Sequence, residues 1–367
     1  MTRHGISDTP LPMGRPALES SHQIFEIPLV TPIQVKNHVV SQRSGFRIFL
    51  KDPTTGVTGT GECTPLPGLH TESVEECLKR WISIEPRIRE LRLKYEGFDL
   101  RLPGLGLLGL EFSGFPSLEF AIEQALLDLV IQTRPEKVRT SSSTPINALL
   151  ILDEPSFNKV DEYASYLLES EYKAVKIKIG RHPLKKEIQF IKTLNQSLRQ
   201  RCQIRLDGNC LFDEAGFRNL VDLLDGESIE YIEEPLELSS GSDLASSRMI
   251  YQESPIPIAL DESLHAYVED YKRGISLPKA VSAFVVKPTT LGGIHKTVQT
   301  IDLCNQNQLS CVISNAFDPI HTLRALSLLA GLVEKETCMG LDTYRYFSQE
   351  SIKGQVEFSA GRLHWPP

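Results

Sequence analysis

Five charged residues recur through the middle of the chain at nearly equal intervals. Lys178, Asp207, Glu233, Asp261 and Lys287 follow one another 26 to 29 residues apart. Each stands at the end of a short run that reads as a β-strand: AVKIK, QIRLD, IEYIE, IPIALD and SAFVVK. A strand, a helix and two loops together take about 30 residues. Five such units in succession lay parallel strands side by side and deliver one charged side chain apiece to the same end of a barrel. In (β/α) barrels that C-terminal end carries the chemistry.

The surrounding sequence extends the pattern. From Pro145 onward strands and helices alternate, with INALLIL, LSCVIS and a short segment near MGLD completing eight strand candidates. Helical segments such as PLKKEIQFIKTLNQSL, AGFRNLVDLLD and HKTVQTIDLCNQ lie between them. Apolar strands in β–α–β order imply parallel strands buried on both faces, and eight imply closure. No eighth helix is evident after Asp342. The fold class expected is therefore α/β, a TIM-like (β/α)7β barrel over residues 145–345.

Residues 22–52 alternate apolar and polar and read as antiparallel strands. GTGECTPLPGLHTES (59–73) reads as a Gly/Pro loop leading into the amphipathic helix SVEECLKRWISI, with Thr71 or Ser73 as N-cap. The Gly-rich stretch 103–116 lacks the GK[ST] ending of a phosphate loop and reads as packed loop. SLEFAIEQALLDLVIQ (117–132) is a buried helix by its periodicity. RPEKVRTSSSTP (134–145) is the expected boundary. Residues 20–135 thus form an α+β capping domain. The tail, with VEFSAGRLHW, reads as a strand that returns to it, so that 346–367 complete the domain. Residues 1–19 read as a flexible extension without the apolar region of a secretory signal.

Composition narrows the partners. A formal net charge of -8 argues against nucleic acid and anionic membrane. No apolar run approaches the roughly 20 residues of a membrane span. Seven scattered cysteines without a CxxC pair suggest reduced thiols in a cytoplasm. Oligomeric state is not readable.

Strand periodicity then groups the side chains. Lys176 and Lys178 share one face, as do Arg205, Asp207 and Asn209. An unpaired ammonium inside an apolar barrel is costly, yet three carboxylates follow on the next three strands. Asp207, Glu233 and Asp261 offer hard oxygen ligands suited to Mg2+ or Mn2+, with no Cys or His at equivalent positions to favour zinc. Glu234 and Glu262 are alternative ligands by position, although alternation allows only one of each adjacent pair to face inward. Asp213, Glu214, Asp222 and Asp225 read as solvated. A metal on a substrate carboxylate stabilises the charge formed when an α-proton leaves. Lys178, beside Lys176 and a divalent cation, should have a lowered pKa and serve as base. Lys287 comes from the opposite side of the barrel, as proton donor or as a stabilising cation.

KIK, LDGN, EEP, DES and KPTTLGG, in this order and spacing, resemble the muconate-lactonizing subgroup of the enolase superfamily. GECTPLPGLHTES, VVKPTTLGG and the late GLDT resemble most the o-succinylbenzoate synthases of menaquinone biosynthesis. The likeness spans roughly residues 22–345. It implies a capping domain over a (β/α)7β barrel, and a Mg2+-dependent syn dehydration of 2-succinyl-6-hydroxy-2,4-cyclohexadiene-1-carboxylate to 2-succinylbenzoate. By the same resemblance Asp207, Glu233 and Asp261 hold the metal, Lys178 is the acid/base and Lys287 its counterpart. Lys176 contacts the substrate carboxylate and Asn209 supports the ligands. Loops carrying Pro67, Gly68 and Arg43 cap the site, and Arg205, Ser314, Asn315 and Gly340 are further supporting or substrate-contact candidates. ISNAFDPIH departs from the paired serines and Glu-Ser of many relatives, which leaves the contacts to the succinyl end open. His265 follows DESL and reads as non-catalytic.

Rival readings stay open. An N-succinylamino acid racemase or dipeptide epimerase uses the same lysines and ligands. A Schiff-base aldolase needs one lysine and leaves three carboxylates unexplained. A binding module leaves the whole set unexplained.

Overall fold

The computed structural model describes residues 17–90, 110–135, 142–236 and 243–365. Residues 1–16 of the expected extension, 103–109 of the Gly-rich stretch and 136–141 of the expected boundary lie outside the described residues.

Three antiparallel strands come first: β1 (Glu19–Val35), β2 (His38–Lys51) and β3 (Thr58–Cys63), in that order across the sheet. Helices α1 (Val74–Arg89) and α2 (Pro116–Thr133) pack against them. Ser73 is the N-cap of α1. Its hydroxyl accepts from Glu76 N, and the Glu76 carboxylate accepts from Ser73 N, a reciprocal capping box. The expectation of a loop from residue 59 is corrected here, because GTGEC belongs to β3. Its two glycines reflect close packing rather than a turn. A Cβ on Gly61 would stand 1.8 Å from the Ala121 carbonyl oxygen, and one on Gly59 2.0 Å from that of Ala125, so α2 can lie directly on this strand. The loop proper begins at Thr64.

After β4 (Ser143–Pro145) come seven parallel strands: β5 (Ala148–Leu150), β6 (Ala174–Lys178), β7 (Gln203–Asp207), β8 (Ile229–Glu233), β9 (Ile258–Leu260), β10 (Val281–Val286) and β11 (Ser310–Ile313). They are ordered sequentially across one sheet. Between and after them lie α3 (Val160–Glu169), α4 (Leu184–Leu198), α5 (Glu214–Leu223), α6 (Asp243–Glu253), α7 (Leu264–Lys272), α8 (Pro288–Leu291), α9 (Ile294–Asn307) and α10 (Ile320–Ala330). The eighth strand is reduced to Met339 and Gly340, which bridge in parallel to Ile146 and Ser314 and so close the barrel. Where a longer strand would continue, a side chain substitutes: the Asp342 carboxylate accepts from Leu149 N at 2.9 Å. A 3-10 turn (Asp342–Tyr346) stands in place of an eighth helix.

Period-two alternation sorts the barrel side chains. Ile204, Leu206, Ile232, Ile258, Leu260, Phe284 and Val286 join the main core with the helices, while Tyr231, Ala259, Ala283, Val285 and Val312 form a separate buried cluster on the opposite strand faces. Lys176, Lys178, Arg205, Asp207 and Glu233 share the parity of that second set and point to the barrel interior.

The tail differs from expectation. It forms a hairpin, β12 (Glu357–Ser359) and β13 (Arg362–His364), not one strand. Ala360 and Gly361 both have positive φ, as a tight two-residue hairpin turn requires. β13 pairs with β4 beside the barrel entry, and the tail meets the first sheet through the Leu29–Phe347 bridge.

Buried carboxylates of the first unit dock it onto barrel helices. Glu123 on α2 accepts from Ile294 N and His295 N at the start of α9, and Glu62 on β3 accepts from Thr322 N in the first turn of α10. Both place negative charge at a helix N-terminus, where unpaired N–H groups favour it.

Candidate active site

The strands carry their charged residues to one mouth. Lys176 Nζ donates to both oxygens of Glu233 at 3.0 and 3.1 Å and stands 3.3 Å from Asp207. Lys178 Nζ donates to Asp207 at 3.0 Å and to Asn209 Oδ1 at 2.5 Å. Lys287, immediately after β10, pairs with Asp261. Seven residues singled out from spacing and motif are therefore one cluster: Lys176, Lys178, Asp207, Asn209, Glu233, Asp261 and Lys287.

The electrostatics of the three lysines differ. Burial lowers the Lys178 pKa, and neither Asp207 nor its hydrogen bond fully offsets burial and the neighbouring Lys176 charge. Burial also acts on Lys176 and Lys287, but surrounding carboxylates outweigh it and raise both, Glu233 and Asp207 for the first and Asp261, Glu262 and Glu233 for the second. Lys178 is thus the ammonium most readily deprotonated, as a base requires.

The donor set fits a hard divalent cation. Burial, then the charge of Asp207, pushes Glu233 up to about 8, with Asp261 adding to the effect against Lys176. Three carboxylates in one dry place call for positive charge, and all their donor atoms are oxygen. Among the described residues no three such side chains are gathered tightly enough to hold a metal as they stand. The Lys176 ammonium lies between Asp207 and Glu233 instead.

The turns that present these residues interlock. Gly208 has no room for a side chain, since a Cβ would stand 2.7 Å from Pro235 Cα. LDGN therefore packs directly on EEP. Glu234 turns away from the cluster and accepts from Asp261 N, Ser263 N and Ser263 Oγ. Burial pushes it up to about 7 against those bonds. Glu187 on α4 acts similarly on the loop after β6, accepting from Gly180, Arg181 and His182 N–H groups. A buried glutamate on an amphipathic helix carries no sequence mark of such a task, and nothing in the local pattern singled it out.

Other candidates stand elsewhere. Arg205 is at the barrel floor, one inward position deeper than Asp207. It donates to Glu230, Asn147 Oδ1, the Cys338 carbonyl and Thr337, and stacks over Tyr231. Its five-donor guanidinium is used up there, away from the cluster. Arg43 is buried and donates to the carbonyls of Thr64, Pro65 and Phe317, beside Asp318 at 3.8 Å. It bolts the loop after β3 to the loop after β11. Asn315 closes that second loop with Asp318, each side chain meeting the other's backbone region. The ISNAFDPIH departure thus supplies Asp318 as the partner of Arg43. Ser314 and Gly340 form the closure seam, where a Cβ on Gly340 would meet Ser314 Oγ at 2.7 Å. Pro67 is exposed and Gly68 half-buried at the tip of the first unit's loop. His70, in the same loop, reaches the Thr289 carbonyl at 3.1 Å, two residues beyond Lys287. His265 is exposed on α7.

Fold and cluster together define a parallel barrel that gathers lysines and carboxylates at its C-terminal mouth. A family model described as "Enolase C-terminal domain-like" matches residues 159–367, and the chain belongs to that family. Among curated relatives, an o-succinylbenzoate synthase of Desulfotalea psychrophila is 26% identical over 355 residues, covering 90% of this chain and 95% of the relative. Among solved structures, MenC from the same organism has a TM-score of 0.76 at 23% identity, covering 95% of this chain and 99% of that one. An L-Ala-D/L-Glu epimerase has a TM-score of 0.72 at 19% identity, covering 96% and 100%. The structural likenesses show the same fold, a TIM-like barrel with an antiparallel N-terminal sheet. Among the described residues no helix is long and apolar enough to cross a membrane.

Proposed function

We propose that this chain is a metal-dependent hydro-lyase that dehydrates 2-succinyl-6-hydroxy-2,4-cyclohexadiene-1-carboxylate to 2-succinylbenzoate, the o-succinylbenzoate synthase reaction of menaquinone biosynthesis, in the cytoplasm. The observation that carries the reading is the buried cluster itself, with Lys178 and Lys287 on either side of three carboxylates. Relatives named for this activity, similar over about nine-tenths of the chain, support the choice of reaction.

Asp207, Glu233 and Asp261 would hold Mg2+, with Mn2+ as a substitute. Such a cation supplies stabilisation of the substrate carboxylate as its α-proton leaves. Lys178 Nζ, with its lowered pKa, takes that proton from one face. The resulting ammonium then returns the proton to the departing hydroxyl as the C–O bond breaks, so that one water leaves and Lys178 is neutral again. Lys287 stays charged and faces the developing anion. Lys176 and Asn209 hold Glu233 and Lys178 in place. In this reading residues 20–135 cap the site, with the loop bearing Pro67 and Gly68 as lid, and 145–345 form the catalytic barrel.

A second reading, N-succinylamino acid racemase or dipeptide epimerase, is favoured by one observation: a lysine on each side of the cluster also suits two-sided proton exchange. The deciding experiment supplies the purified chain with the cyclohexadiene substrate and Mg2+ and follows aromatic product. Dehydration that chelator abolishes and Mg2+ or Mn2+ restores is the expected result. Undiminished turnover in excess chelator would remove the metal from the mechanism. Rapid α-proton exchange on N-succinylamino acids without dehydration would put the racemase reading first.

A further inference from the structure

The residue after Glu233 is a junction of three strand ends. Its side chain is fully buried, and a single oxygen, Oε2, accepts from Asp261 N at 2.9 Å, Ser263 N at 3.0 Å and Ser263 Oγ at 2.7 Å. Its main chain takes part as well. Glu234 N donates to the Ala259 carbonyl on β9, and its carbonyl accepts from Cys210 N in the turn after β7, both within 2.9 Å. One residue earlier, the Glu233 carbonyl accepts from Gly208 N.

Holding all of this requires an unusual backbone. Glu234 has φ 33, and Asn209 and Cys210, across from it, have φ 43 and 59. Left-handed backbone at non-glycine residues is unfavourable and persists where surrounding contacts enforce it. Here the enforcing contacts join the carrier of Asp207, Glu233 itself and the carrier of Asp261.

We infer that Glu234 is a positioning residue, which sets the spacing of the three carboxylates by accepting the N–H groups of the Asp261 turn while its main chain ties down the Asp207 turn. The inference rests on the metal reading above and explains why a second glutamate follows the first. The useful property of Glu234 is reach, not charge. Its other oxygen, Oε1, has no hydrogen-bond partner among the described residues, so an amide nitrogen placed there displaces no donor.

Two isosteric changes separate reach from charge. Glu234→Gln keeps an oxygen at the same distance and removes the charge. Glu234→Asp keeps the charge and withdraws the oxygen by one methylene. Mn2+ dissociation constants are measured by calorimetry, with amide hydrogen exchange across 259–264 in the metal-free protein. Glu234→Asp is expected to weaken Mn2+ binding about 10- to 100-fold, the usual effect of losing a group that orients a ligand, and to speed exchange at Asp261 and Ser263. Glu234→Gln is expected to stay within a few-fold of wild type in both. Wild-type affinity and exchange in Glu234→Asp would overturn the inference, as would a loss in Glu234→Gln equal to that in Glu234→Asp. Wild-type protein that takes up no Mn2+ would sink the metal reading, and this inference with it. Normal Mn2+ uptake by wild type and both variants alike would sink this inference alone.

Discussion

Lys176 Nζ lies 3.0 and 3.1 Å from the two carboxylate oxygens of Glu233, inside the barrel and out of water. The pair links β6 to β8 across β7, and its ammonium sets positive charge beside Glu233 and Asp207, as Lys178 does at Asp207 and Lys287 at Asp261. Removing one member of a buried pair costs about 3–5 kcal/mol, because the other charge is left without compensation. Lys176→Met should therefore lower the melting temperature in chelator, and Mg2+ should restore more stability to the variant than to wild type. Equal Mg2+ effects on both proteins would show that ion and ammonium do not share this place.

The lysines flanking the cluster should not be interchangeable. Lys178→Ala is expected to lose about 10²–10⁴-fold in turnover, the usual weight of a positioned acid/base, together with solvent exchange at the substrate α-carbon. Lys287→Arg keeps a cation with a different shape and reach and should retain exchange while turnover falls. Turnover of Lys178→Ala near the wild-type rate would refute the assignment of the base.

Gly68 has φ 84, and a Cβ there would stand 2.7 Å from the Val35 carbonyl oxygen. Gly68→Ala must shift the loop that reaches Thr289 through His70. The expected result is a raised KM with Mg2+ affinity unchanged, measured by steady-state kinetics and calorimetry on the same preparation. An unaltered KM would place the loop outside the substrate's reach.

Asp342 offers a pH test away from the cluster. Burial pushes its carboxyl up to about 6, against Arg345, the Leu149 N–H and the Tyr172 hydroxyl. A folded-state pKa above the ordinary one near 4 means the folded chain binds the proton more tightly. The associated stability is full below pH 4 and is lost as pH rises through 6, up to about 3 kcal/mol. Melting temperatures of wild type and Asp342→Asn, compared at pH 5 and 7.5, should show wild type gaining on the variant at the lower pH. A difference that does not move with pH would place the carboxyl's titration elsewhere.

Much of the cluster was legible before folding. A parallel barrel repeats one local unit, so strand period and repeat length together bring Lys178, Asp207, Glu233, Asp261 and Lys287 to one mouth. An N-cap for α1 at Thr71 or Ser73 was legible for the same local reason, and the structure selects Ser73.

Depth and distant partners were not. Period two places Arg205 inside the barrel with Asp207, but only the assembled floor of Glu230, Asn147, Thr337 and Cys338 takes up its guanidinium. The glycines of β3 read as a turn until α2 lies on them. Arg43 meets Phe317 across 274 positions of sequence, and the tail hairpin takes β4 as its neighbour rather than the first sheet. Glu187 looks like an ordinary surface glutamate, and Glu234 like an alternative to Glu233 as a ligand, until the loops whose N–H groups they accept are folded over them. Local periodicity and spacing act within one repeat, and the sequence by itself determined what they control: the barrel and the residues at its mouth. Which buried polar group satisfies which distant backbone depends on how separate elements come together, and only the tertiary structure decided that.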